Sequence, residues 1–286
     1  MTGAEAWIGR TRTLTQRVAL APARALAATL DEDPDTLAHG AEIPHGWHWI
    51  YFNEAVRRSQ LGPDGHEARG GFLPPVPLER RMWAGGRLSF RRPLRIGEEL
   101  SRTSTVTDVR SKRGRTGPLV FVTVRHRVEG ADGPVLEEEQ DLVYRGRPSA
   151  PPPGEPAPPD ARKLDEFEAD AVTLFRFSAL TFNGHRIHYD YRWATEQEGY
   201  PDVVVHGPLL ALLLLRAGLR ERGGDGRVRG GAGGEEESPL AYRYRARAPL
   251  FRGERFDLLA REEGKHGLRL WAAHPERGVA MEAALS

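Results

Sequence analysis

The chain has 286 residues, enough for one large domain or two modest ones with separate cores. Lys plus Arg total 41 and Asp plus Glu 40, a formal net charge of +1, which argues against a general nucleic-acid binder; the absence of cysteine excludes disulfides, thiolate catalysis and Cys-ligated metals. The N-terminus, MTGAEAWIGRTRTL, has no signal-peptide core, and the strongest apolar run, Leu209 to Leu215, stops at Arg216, short of the roughly 20 residues of a membrane span, so a cytoplasmic protein without membrane partners is expected.

In chain order, the first feature is an acidic stretch, Asp31 to Thr36, followed by His45-Gly46. A short or irregular helix is expected over Trp49 to Arg58. Alternating Val, Thr, Phe and Arg predict antiparallel strands at Arg87–Arg92, Glu99–Arg110, Leu119–Glu129 and Val135–Arg145, with turns at Lys112–Gly117 and Gly130–Gly133. Residues 148–163 carry seven prolines and read as a semi-rigid linker between blocks 1–147 and 164–286. The second block opens with a dense polar cluster, then His206-Gly207-Pro208 and a leucine run that reads as a helix buried on most sides. A glycine-rich stretch, Arg222 to Pro239, reads as a surface loop. Strands follow at Leu240–Ala248, Glu254–Glu262, Gly267–His274 and Val279–Leu285.

The blocks repeat one another. Pro93 to Glu98 matches Pro249 to Glu254, Ala28-Thr29-Leu30-Asp31 resembles Leu180-Thr181-Phe182-Asn183, and His45-Gly46 pairs with His206-Gly207, in the same order and at offsets of 152 to 161. One buried helix wrapped by an antiparallel sheet, present twice, is an α+β double hot-dog fold: two antiparallel sheets, each around a helix, in tandem. The first block is expected to be catalytically silent and to contribute to the substrate pocket; the second carries the active site.

The chemistry-bearing cluster runs from Phe177 to Asp190 and includes Asn183, His185, Arg186, His188 and Tyr189, with His206-Gly207 downstream. Here the sequence resembles the MaoC-like hydratases, and more closely the hydroxyacyl-thioester dehydratases of the mitochondrial type and the mesaconyl- and itaconyl-CoA hydratases. Their motif is Asp, any residue, Asn, Pro, any residue, His. In this chain Asn183 takes the Asp place, His185 the Asn place, Arg186 the Pro place and His188 that of the catalytic His. The resemblance implies that the Gly207 N–H binds the thioester carbonyl. It extends through Gly46 to Trp49, Arg80 to Gly86 and Lys112 to Gly117.

Hydrating an α,β-unsaturated thioester needs a group to activate water, a proton for the α-carbon and donors for the enolate oxygen. His188 suits acid–base work, and a free N–H at the start of the Gly207 helix suits the oxyanion. Asn183 cannot take a proton, so it would hold the water, with Asp190 a second candidate base. Thr36 stands where His188 would be in the first block. His185, His206, Arg80, Trp83, Tyr189 and Lys112 are candidate substrate contacts, Arg81 and Arg113 being further basic candidates.

For each the plain structural reading stands beside the functional one. His188 would be a buried hydrogen-bonded imidazole, Asn183 a cap, Arg80 an ordinary ion pair and Lys112 a solvated hairpin residue. His185, His188 and His206 would also suit a metal, although no metal or other cofactor is expected beyond the CoA or phosphopantetheine that carries the acyl group. The expected partner is therefore an acyl-CoA or acyl carrier protein, with a homodimer as the assembly. The leading function is a lyase interconverting β-hydroxyacyl and enoyl thioesters in fatty acid or polyketide metabolism. A hot-dog thioesterase and a non-catalytic acyl-binding module are the alternatives.

Overall fold

A computed structural model describes residues 3–114, 117–146, 153–223, 239–264 and 267–286. The first half contains β1 (Thr11–Arg17), α1 (Leu20–Thr29), β2 (Glu42–Ile43), β3 (Arg80–Phe90), β4 (Leu94–Arg95), β5 (Glu99–Gly114), β6 (Gly117–Gly130) and β7 (Gly133–Arg145). The second contains β8 (Arg162–Glu168), α2 (Ala171–Leu180), α3 (Gly207–Glu221), β9 (Leu240–Ala246), β10 (Arg255–Glu263), β11 (Gly267–His274) and β12 (Gly278–Leu285). The α+β hot-dog expectation holds, with one difference. The two sheets are joined into a single ten-stranded antiparallel sheet, β1-β5-β6-β7-β3-β9-β12-β11-β10-β8, fused where β3 pairs with β9. Accordingly one apolar core takes residues from both halves, from Leu26 and Phe90 to Leu213 and Leu270.

Helix α3 lies against β10, β11 and β12. Leu209, Leu210 and Leu212 to Leu215 are all buried, each worth roughly 2 kcal/mol of apolar transfer. Among the described residues the first half has no such helix. The helix expected over Trp49–Arg58 is replaced by a 3-10 turn at Trp47–Ile50, which ends before Phe52 at φ 58. Gly46 (φ 88) precedes it in the left-handed region, where Gly207 instead opens α3. Polar side chains fill the space: buried Glu138 accepts from Trp49 Nε1 at 2.9 Å and pairs with His48 Nε2 at 3.1 Å.

The repeat is visible in three dimensions. Helices α1 and α2 pack together and end alike, with Leu30 and Thr181 as caps and Asp31 (φ 57) and Phe182 (φ 48) in left-handed conformation. The Glu32 N–H reaches Ala27 O as Asn183 N–H reaches Ser178 O, so the helix ends correspond at an offset of 151 and Asp31 matches Phe182 rather than the Asn183 of the sequence repeat. One residue later the offset is 152, because the 3-10 turn Pro34–Thr36 matches Arg186–His188. Thr36 thus occupies the turn position that His188 occupies in the second half.

Strands β1 and β8 and helices α1 and α2 were not legible as elements. The last two residues of the proline-rich segment, Arg162 and Lys163, belong to β8. Before them the Gly154 N–H donates to Arg277 O, and Glu155 O accepts from Val279 N–H, both at 2.7 Å. Residues 147–152, most of the glycine-rich stretch (224–238) and residues 115 and 116 of the basic turn lie outside the described residues.

Candidate active site

The motif loop is shaped by its own backbone. After Phe182 turns the chain, Asn183 Oδ1 accepts the His185 N–H at 3.0 Å, closing an Asx turn. The amide oxygen is therefore committed to the turn, which leaves the Asn183 NH2 as its donor side. The following 3-10 turn swings His188 inward, where it is 7% exposed. Arg186 braces the turn from outside, bonded to Asp190 Oδ2 at 2.6 Å and lying 4.1 Å over the Trp193 ring. Asp190 also accepts the Trp193 N–H at 3.1 Å. It is an ion-pair partner and cap, which corrects its candidacy as a second base.

His188 Nδ1 donates to Val204 O at 2.7 Å. Because a carbonyl can only accept, this bond fixes the Nδ1–H tautomer and leaves Nε2 as a lone pair. Burial depresses the His188 pKa to about 4, against the Val204 bond, so the ring is a neutral base at pH 7. Its face stacks on His206 with centroids 3.8 Å apart and planes at 17°. His206 is fully buried and pairs through Nε2 with Ser178 Oγ at 2.8 Å. Since His206 is the N-cap of α3, the stack places His188 beside the first turn of that helix. The Gly207 N–H there has no main-chain partner among the described residues and stands at the positive end of the helix dipole.

A segment of the first half completes the site, and no local signal marked it. Residues 62–66 dock on the motif loop: Arg186 N–H donates to Asp64 O at 2.9 Å, and a Cβ on Gly65 would come within 1.9 Å of Gly184 O. That approach is open only to glycine. It brings the His66 ring to 4.1 Å from His185, whose ring is in turn 5.4 Å from His188. Asp64 Oδ2 pairs with His66 Nδ1 at 3.0 Å. Burial alone would raise the Asp64 carboxyl, but the His66 bond and the Arg81 charge hold it at about 2. Burial, then the Arg81 charge, lowers His66; burial, then His66, His188 and Arg81, lowers His185 well below its ordinary range.

The remaining candidates separate. Trp83 lines the start of α3, its ring 4.6 Å from Tyr244 and 5.5 Å from Trp49. Arg80 is corrected: it is buried, ion-paired to Glu198 at 2.6 Å and 5.2 Å over Tyr200, so its guanidinium is committed inside the protein. His206 is corrected too, since a fully buried ring is a platform for His188 rather than a surface for substrate. Tyr189 is exposed, and its hydroxyl donates to Gly184 O at 3.0 Å, which makes it an outer brace of the loop. Lys112 is exposed on β5 with its Nζ 5.4 Å over Phe121. It lies three strands from β3, roughly 14 Å away by strand spacing. Missed altogether were Asp64 and His66, while Ser178, inside the motif cluster, is given no role by the sequence.

Comparison with solved structures defines the class. A MaoC-like dehydratase from Phytophthora capsici superposes with a TM-score of 0.69 at 17% identity, covering 100% of this chain and 96% of that one. A Mycobacterium tuberculosis protein described as having a double hotdog fold superposes with a TM-score of 0.57 at 14% identity, covering 97% and 95%. The fold is thus the double hot dog. A profile of the hydroxyacyl-thioester dehydratase type 2 family matches residues 46–252, and the chain belongs to that family of hydratases and dehydratases acting on acyl thioesters. It is also 42% identical over 283 residues to the Mesaconyl-C(4)-CoA hydratase of Chloroflexus aurantiacus, covering 97% of this chain and 95% of the relative.

Proposed function

We propose that this protein hydrates a branched, dicarboxylic α,β-enoyl thioester of CoA, of the mesaconyl kind, and catalyses the reverse dehydration. The observation that carries the reading is the stack of neutral His188 on His206 at the first turn of α3. The substrate class is supported by the Chloroflexus relative, whose similarity spans both halves of the chain.

In this mechanism His188 Nε2 takes a proton from water as the water oxygen adds to the β-carbon. The C=C electron pair moves toward the thioester, and the Gly207 N–H stabilises the resulting enolate oxygen. The imidazolium then returns its proton to the α-carbon, so H and OH are added and the histidine ends neutral. The Asn183 amide N–H orients the water. A buried oxyanion donor is worth about 2.7–4 kcal/mol of barrier. Thioester hydrolysis has less support, because the first turn of α3 carries no acidic residue.

The test is incubation with mesaconyl-C4-CoA and, separately, crotonyl-CoA, following enone absorbance and free thiol. Loss of the enone without release of CoA is expected, and His188→Ala should abolish it while the protein stays folded. Release of free CoA, or full activity in His188→Ala, would overturn the reading. No helix among the described residues is long and apolar enough to cross a membrane. A homodimer and a cytoplasmic location remain part of this proposal; sedimentation velocity and fractionation of the native host check them.

A further inference from the structure

The N-terminal half supplies more than a scaffold. On β3 the register against β7 slips between Trp83 and Gly85, a one-residue bulge at Ala84. Leu88 lies opposite Glu138 and Gly86 opposite Gln140, whereas beyond the bulge Trp83 meets Leu142 and Arg81 meets Tyr144. Period-2 alternation therefore places Trp83 and Arg81 on the same inner face as Leu88 and Phe90, and turns Arg80 and Met82 the other way. Arg81 makes no ion pair with a described residue, but its charge acts on Asp64, His66, His185 and Tyr144. Tyr144 is fully buried, and the polar group that reaches its hydroxyl is the Arg81 guanidinium, in poor hydrogen-bond geometry. A buried hydroxyl held only by a poorly aligned guanidinium that has no ion pair of its own is costly unless a ligand completes the pair.

We infer that Arg81, the Tyr144 hydroxyl, His66 and His185 form a subsite for a carboxylate borne by the acyl group. This rests on the hydratase reading. In a mesaconyl group thioesterified at C4 the free carboxylate sits on the β-carbon, the atom that receives the hydroxyl. The subsite begins one ring from the base, with His185 5.4 Å from His188 and His66 4.1 Å beyond. Asp64 is the carboxylate within the cluster; it is paired at 3.0 Å with His66 Nδ1, and the Arg81 charge acts on it too. Arg69, 5.6 Å over the Tyr144 ring, is spent on the carbonyls of Val76, Leu78 and Glu79. Ligand atoms of Asp64, His66 and His185 also lie within 4.8 Å of one another, a spacing that suits a metal. The adjacent Arg81 charge favours an anion over a cation there.

The measurement is kcat/KM for mesaconyl-C4-CoA divided by that for crotonyl-CoA, which lacks the carboxylate. In wild type the ratio should exceed one. It should fall on the order of 100-fold in Arg81→Gln and about tenfold in Tyr144→Phe, with Arg81→Lys in between. Equal losses on both substrates in a folded variant overturn the subsite and leave the hydratase standing. A wild type that turns over neither substrate sinks the hydratase instead. If the variants do not fold, the intact protein decides, since a preference for crotonyl-CoA overturns the subsite. Activity lost to EDTA and restored by Zn2+ would make the cluster a metal site and overturn it as well; no effect of EDTA is expected.

Discussion

Trp83 packs against Gly207: a Cβ at position 207 would stand 3.0 Å from the indole Cε3. The closeness has a cause in each residue. The β3 bulge turns the indole inward, and glycine lets the first turn of α3 approach it. Gly207→Ala should displace either the indole or the helix start by a few tenths of an ångström. Activity should drop on the order of tenfold or more, because the amide moves relative to the reacting atoms. Helicity should be unaffected. A steady-state comparison beside a far-UV spectrum checks this, and an unchanged kcat would remove the amide from the mechanism.

A single imidazole that moves both protons must deliver H and OH to one face of the double bond. Hydration in D2O should therefore place deuterium syn to the new hydroxyl. With crotonyl-CoA, whose β-carbon keeps a hydrogen, the vicinal coupling constant of the product reports the geometry, and anti addition would require a second acid–base group.

The tautomer of His188 and its lowered pKa set the pH profile. In the proposed mechanism the base is the neutral ring, so kcat/KM for hydration should stay level as the pH falls through the ordinary 6.5 of histidine. It should decline only as the ring protonates toward its depressed value of about 4. A midpoint at 6.5 or above in the acid limb would mean that His188 is not the base, or is not buried in solution.

Stability carries its own pH signature. His45, His126 and His188 are each pushed down to about 4, burial being the largest cause. Below 6.5 the unfolded chain binds protons that the folded chain refuses, so stability falls as the pH drops from about 6.5 toward 4. Unfolding near pH 5 should take up about 3 protons from these groups. Asp64 and Glu138, held at about 2, act in a lower window: their contribution is present above about 4 and is lost toward 2. Urea midpoints measured from pH 7.5 to 4.5 should fall steadily, and a flat series would contradict the burial of these rings.

Among the described residues Ser178 makes the one hydrogen bond of the His206 ring, whose Nδ1 is buried without a partner there. Ser178→Ala leaves both nitrogens unsatisfied, at a cost of about 1–3 kcal/mol. As a positioning residue acting through the stack, it should lower kcat more than it raises KM, and Ser178→Thr should recover part of the loss. Equal behaviour of the Ala and Thr variants would reduce Ser178 to ordinary packing.

Much of this protein was legible in its residues because the signals are local. Alternation marked eight strands, the matching stretches at Pro93 and Pro249 marked the repeat, and His188 with Gly207 marked the candidate chemistry. The resemblance found in Asn183, His185 and His188 named the family that the comparisons bear out. Helices α1 and α2 escaped because their apolar stripes are weak and their stability comes from packing on one another.

What only the tertiary structure decided turns on two things that a sequence pattern does not carry. One extra residue at Ala84 reverses the faces of β3, so Arg81 shares the face of Trp83 and Leu88 while Arg80 is buried on the opposite face against Glu198; a strict two-residue period assigns the pair the other way. The docking of Gly65 on Gly184 brings Asp64 and His66 to the motif across more than a hundred residues of chain. Neither glycine announces its partner, because backbone approach is a property of two surfaces meeting and local composition encodes only one of them.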